Sequence, residues 1–163
     1  MFQTQHHNNM KAINDNGTIK TFSSVPKSWG NSIGLQYASD SDLEALGFYD
    51  VEQPTKKESQ EYGDIEWDAD NNQFTYPVNN KTYSETVAEL KTRKIANLKA
   101  IYNSKLSQTD WYVTRKQEKG TAIPSDIQTE RDNLRSECAT KEGEINAKTT
   151  KAGVVDYALP NLI

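Results

Sequence analysis

The spacing of apolar residues changes period near Ser84, and this change constrains the fold more than any other feature of the chain. Up to Val78, apolar positions alternate in short bursts cut by Gly, Pro, Asn and Asp, the pattern of strands and turns. Beyond Ser84 they recur every three or four residues, the pattern of helices. Strands gathered in one stretch and helices in the next predict an α+β protein. The expected order is a polar arm over 1–10, a small antiparallel β-domain over 11–80, a helical region over 84–150 and an extended tail over 151–163. The helical region is predicted to be an αα-hairpin or a coiled coil.

In the β-rich half, Asp15-Asn16-Gly17 lies between Ala12-Ile13 and Ile19-Lys20-Thr21-Phe22, and Asn-Gly favours the positive φ angles of tight hairpins. Val25-Pro26 and Trp29-Gly30 break regularity. Ser41 with Glu44 fits a capping box, with Leu43 and Leu46 inward and Gly47 ending the helix. Phe48 to Val51 alternates as a strand that Pro54 stops, and 55–62 carries no periodicity and reads as a loop. Ile65 and Trp67 share one strand face. Phe74, Tyr76 and Val78 share another across a turn at 68–72.

In the second half, Ser84 can cap a helix whose stripe is Val87, Leu90, Ile95, Leu98, Ile101 and Tyr102. A second helix begins near Pro124. Its apolar seam, Ile127, Leu134, Cys138 and Ile145, is narrow and is interrupted at Arg131 and Lys141, so it needs the first helix or symmetry-related copies to hold it. Val154 to Pro160 reads as a final strand or extended tail.

Only 34% of the 163 residues are apolar, too few for one large core. The chain is therefore expected to be elongated and to complete its packing against other subunits or as a homo-oligomer, a trimer being the form considered. A net charge of -4 spread over mixed signs, with no block of five like charges, gives no sign of a nucleic-acid partner. With no eighteen-residue apolar run and no signal-peptide pattern, no membrane partner is expected either. The lone Cys138 excludes an intrachain disulfide, suits a reducing compartment and reads as a small buried hydrophobe.

A search for chemistry finds little. His6 and His7, the only histidines, are adjacent and point apart, so no metal site is expected. Asp64, Glu66, Asp68 and Asp70 could line one strand face for a cation or a glycan, with Trp67 beside them, but a solvated face opposite Ile65 and Trp67 explains the same spacing. Phosphate loops, nucleophile elbows and paired cysteines are absent from the sequence, so neither an enzyme nor a cofactor is expected.

The connector between the two helices is the most distinctive segment. Thr109 or Asp110 can cap a short turn, Trp111 can plug the gap between helices or anchor a partner, and Arg115 can pair with Asp110 or with helix-end carbonyls. Arg131 and Arg135, four apart, can reach Glu130, Asp132 or Glu137, as a surface ladder or as charges that select a partner helix. Asp110, Trp111, Arg115, Arg131 and Arg135 are thus the candidate partner-binding or corner residues.

The string Leu106, Thr109-Asp110-Trp111, Arg115, Glu118, Gly120, Ile123-Pro124, Ile127, Arg131, Leu134-Arg135 resembles the C-terminal segment of tail fibre assembly proteins and related tail proteins of tailed bacteriophages. The first half is similar to small phage tail proteins through Gly17-Thr18-Ile19, Pro26, Trp29, Ser39 to Leu43 and Leu46 to Val51. The resemblance spans about two thirds of the chain and brings no catalytic residues with it. It implies a structural component of the tail, at the fibre or baseplate, localised to the virion after synthesis in the host cytoplasm and partnered by other tail or fibre subunits. A fibre assembly chaperone that leaves before maturation and a glycan-binding tip are the alternatives.

Overall fold

A computed structural model describes residues 10–162. The arm expected before Met10, the His6-His7 pair and Ile163 lie outside the described residues. The fold is mixed α+β and divides into two compact units, Met1–Asn80 and Lys81–Ile163.

The first unit opens with a hairpin of β1 (Lys11–Asp15) and β2 (Thr18–Phe22). Asn16 and Gly17 have φ of 53° and 90°, so both central residues adopt the left-handed conformations that match the strand twist. A two-rung ribbon follows, β3 (Ser28–Trp29) with β4 (Ser32–Ile33), then a 3-10 turn at Leu35–Tyr37, α1 (Asp40–Ala45) and β5 (Phe48–Glu52). After these come β6 (Gln60–Tyr62), β7 (Glu66–Asp68), β8 (Gln73–Thr75) and β9 (Val78–Asn80).

The main sheet runs β2-β1-β5-β8-β7, and β6 with β9 forms a separate ribbon. It is not the purely antiparallel sheet expected: β5 pairs with β8 in parallel, Val51 against Phe74 and Glu52 against Thr75. The connection between them is long enough to carry the chain back to its starting end, which parallel pairing requires. Two strand boundaries also differ. Part of the expected 55–62 loop is β6, too short and polar to show a period. The face assigned to Phe74, Tyr76 and Val78 is divided between β8 and β9 around Pro77, which lacks a donor for the ladder.

α1 starts two residues earlier than the Ser41–Glu44 pattern suggests. Ser39 is the N-cap, its hydroxyl accepting from the Asp42 amide at 3.2 Å while Asp42 accepts from the Ser39 amide at 3.4 Å. Leu43 is fully buried, whereas Leu46, expected inward, is 41% exposed. One core gathers Ile13, Val25, Leu35, Leu43 and Phe48, with Phe22, Trp29 and Phe48 meeting pairwise at 5.6–5.8 Å. Because successive strand residues point to opposite faces, Phe48 enters this core while Tyr49 turns to Trp67 at 4.7 Å.

The buried Lys11 ammonium is held by Asp40 at 2.9 Å and Asp50 at 3.0 Å. Burial pulls its pKa down, but the two carboxylates outweigh this together and raise it above the ordinary value.

The second unit contains α2 (Val87–Ser107), α3 (Asp110–Lys119), α4 (Ser125–Asn146) and α5 (Lys151–Val155). The α2 cap is Thr86, two residues after Ser84: its hydroxyl accepts from the Glu89 amide, and the Glu89 carboxylate accepts from the Thr86 amide at 2.8 Å. That exposed pair holds the Glu89 carboxyl below its usual range. α2 and α4 run antiparallel, with Lys91 donating to the Asn146 carbonyl at 2.7 Å and Lys99 meeting Glu142 at 2.9 Å.

Leu90, Leu98 and Tyr102 of α2 share a core with Ile145 of α4 and with Val154 and Val155 of α5, and Leu134 and Cys138 pack at its margin. Three of the four seam residues are thus occupied within the chain as one half of a helical hairpin, and Ile127 is half-buried. Burial raises the Cys138 thiol pKa, and Glu142 adds to the effect.

The expected extended tail over 151–163 is partly helical. Thr150 caps α5, its hydroxyl accepting from the Gly153 amide at 3.0 Å, and only the residues after Asp156 are irregular. Gly153 and the β-branched Val154-Val155 oppose a helix by propensity. Both valines are buried, at 1% and 7% exposure, and this packing outweighs a propensity difference of under about 1 kcal/mol per residue.

Candidate interaction site at the helix corner

α2 gives way to α3 within two residues. Thr109, at φ -115° and ψ 7°, leaves helical geometry between them, so the chain turns a corner without a loop. Such a break strands carbonyls at the end of α2, and these need donors. Arg131, one of the residues that interrupts the α4 seam, supplies one.

The Arg131 guanidinium donates to the Leu106 carbonyl at 2.8 Å, to the Thr109 hydroxyl at 2.6 Å and to Asp110 Oδ1 at 2.8 Å. Thr109 in turn donates its hydroxyl to the Leu106 carbonyl at 3.1 Å. Arg131 is 5% exposed, so the seam interruption is a buried clamp and not the surface ladder expected of it. Its planar fork suits three acceptors that fan across a helix break. Asp110 also opens α3, where a negative charge favours the helix N-terminus.

The clamp fixes the corner on one side, and α3 carries a different group on another. Trp111, expected either to plug the gap between helices or to anchor a partner, is 51% exposed. Its ring lies 3.8 Å from that of Tyr112, centroid to centroid. The Arg115 guanidinium sits over both, 4.8 Å from the Trp111 ring and 5.5 Å from the Tyr112 ring. Arg115 therefore stacks on aromatic faces and does not pair with Asp110, which belongs to Arg131. Its Nε is buried without a hydrogen-bond partner.

Arg135 behaves as a surface group. It meets Asp132 at 3.1 Å with both side chains at least half exposed, a pair worth well under about 1 kcal/mol. Sequence reasoning missed Tyr112 and the full role of Thr109. The i,i+3 spacing of Tyr112 and Arg115 was an available signal for the first. Local sequence marks Thr109 only as a cap, because its bond to Arg131 depends on a residue twenty-two positions away.

Other candidates offer less. Trp67 packs edge-on against Phe74 at 5.1 Å, and Asp68 closes the β7–β8 turn, accepting from the Asn71 side chain at 2.8 Å and the Asp70 amide at 3.1 Å. The Asn71 contact holds its carboxyl below the usual range, which explains this acid by its turn. A groove of about 660 Å³ runs between α2 and the chain end, lined by Ile101, Lys105, Pro160 and Leu162 among others. Among the described residues no group of three or more His, Cys, Asp or Glu is placed to hold a metal ion. No described helix is long and apolar enough to cross a membrane. No family model, no curated protein and no solved structure matches this chain.

Proposed function

We propose that this chain is a structural component of a bacteriophage tail, at the fibre or baseplate, and that it works through protein–protein contacts made by α3. The observation that carries the reading is a half-exposed tryptophan on a corner that is locked by a buried arginine. A rigid aromatic anchor loses little freedom on binding, and such residues dominate many interfaces. The resemblance of the Leu106 to Arg135 string to phage tail proteins names the setting. Self-association belongs to the same proposal, with Ile127 as the contact position because Leu134, Cys138 and Ile145 face α2. Mass spectrometry of purified virions tests retention: the chain is expected at fixed stoichiometry with the tail, and its absence from mature particles overturns the structural role.

A specific observation favours a second reading, an assembly chaperone that covers fibre subunits and then departs. Large exposed apolar residues are carried by both units, Ile33, Tyr37, Leu46 and Trp67 by the first and Trp111 and Val113 by the second, well separated along the sequence. Scattered anchors suit reversible contacts better than permanent ones. The chaperone reading predicts binding to nascent fibre protein together with absence from the virion.

A further inference from the structure

We propose that the Trp111–Tyr112–Arg115 face of α3 receives an acidic side chain flanked by an apolar one from another protein, the carboxylate pairing with Arg115 and the apolar group covering Trp111. This rests on the reading of α3 as a protein-contact surface and gives that contact its chemistry. Three observations lead to it. First, Arg115 is positioned but not neutralised: it lies over two rings, and among the described residues no carboxylate pairs with it. A guanidinium held over aromatic faces still has its two terminal nitrogens for a planar, bidentate acceptor, and its rotamer entropy is already lost.

Second, the acids of α3 do not compensate its cations. Asp110 is engaged by Arg131, which leaves Glu118 against Arg115, Lys116 and Lys119 in a chain whose overall charge is -4. At 3.6 residues per turn, Trp111, Arg115 and Lys119 follow one another along one face, so apolar and cationic elements are adjacent. Third, Trp111 is half exposed beside Arg115, and covering it removes apolar surface from water while drying the ion pair. Charge complementarity thus selects an acidic partner, and the indole selects an apolar neighbour to the acid.

The probe is the peptide acetyl-Gly-Leu-Glu-Leu-Gly-amide, with its glutamine counterpart as control, titrated into the full chain. Binding is followed by the Trp111 indole NMR signal, which is identified by its loss in Trp111→Phe. The glutamate peptide is expected to bind about tenfold more tightly than the glutamine peptide, a preference that Arg115→Gln removes and added salt weakens. Equal affinity for the two peptides, or a preference that survives Arg115→Gln in a variant with unchanged circular dichroism, overturns the proposal. A second copy of the chain is the competing occupant: concentration-dependent association that Arg115→Gln abolishes would place the acid on the chain itself and overturn a foreign partner. Titration of the tail fibre subunit forms a separate arm. Fibre binding that is insensitive to Arg115→Gln refutes this inference and leaves the tail role standing, whereas glutamate selectivity without fibre binding does the reverse.

Discussion

Arg131→Met keeps most of the aliphatic stem that fills the space between α4 and the α2–α3 corner but removes the charge and all three hydrogen bonds. Hydrogen bonds from a charged donor contribute about 1.5–3 kcal/mol each before offsets, so the sum cannot be taken at face value. The Leu106 carbonyl is not orphaned by the change, because the Thr109 amide and hydroxyl both remain at 3.1 Å. The Asp110 side chain is 59% exposed and regains water, so its share is under about 1 kcal/mol. Relief from burying a guanidinium offsets part of the rest. The expected loss is about 2 kcal/mol, or a fall in Tm of about 10 °C for a unit of this size. Urea unfolding followed at 222 nm, where the helices of the second unit dominate, measures it. A loss below about 0.5 kcal/mol would refute the clamp, since a free-standing corner loses nothing with the charge. Asp110→Asn provides a second check: a cost equal to that of Arg131→Met would mean that the ion pair dominates and that the weighting of carbonyl over carboxylate is wrong.

Two glycines should respond with opposite signs. Gly120 ends α3 at φ 67°, so Gly120→Ala is expected to cost about 1 kcal/mol from backbone strain alone, with nothing within 4 Å of the added Cβ. Gly143 lies inside α4 with equal room, so Gly143→Ala should stabilise by about 0.5–1 kcal/mol; both are read from urea midpoints. Burial and the 2.6 Å bond to Glu144 push the Tyr157 phenol up to about 12, and burial, with Glu137 adding to it, raises Tyr102. A raised pKa means the folded state favours the protonated phenol, so this stabilisation is complete below the ordinary phenol value of 10.0 and is lost as pH rises through about 12. Absorbance titration at 295 nm should show a delayed phenolate step that Tyr157→Phe deletes; an unchanged curve would count against the assignment. Leu134→Asp should destabilise the helical unit by about 2–4 kcal/mol without altering a sedimentation mass, whereas Ile127→Asp should lower the mass of any self-associated form. The reverse pattern would place the α4 seam between copies.

Features encoded by neighbouring residues were largely readable from sequence. Asn16-Gly17 specifies its hairpin because the turn needs two left-handed residues and the sequence supplies them. The α2 stripe and the α4 start at Pro124 follow from period and punctuation in the same way. What escaped depends on distant partners. Lys11 looks like a surface lysine until Asp40 and Asp50 enclose it, and Arg131 looks like a flaw in a seam until the corner is built around it. Arg115 and Arg131 have the same chemistry in sequence, and only the fold assigns one to carbonyls and the other to rings. Val154-Val155 escaped for a related reason, since burial set against local propensity cannot be read locally.

The parallel register in the first unit has a consequence for how that unit comes apart. β5 pairs with β8 while β6, which lies between them in sequence, pairs with β9 beyond them, so the two pairings interleave instead of nesting. A nested hairpin such as β1–β2 can zip from its turn. Interleaved pairs cannot, because closing either one confines the loop the other must cross, and each therefore forms at lower entropic cost once its counterpart is in place. Residues 48–80 should behave as a single cooperative knot of contacts. A nick between β6 and β7 would release both pairings together, however well the hairpin at the start of the chain survives.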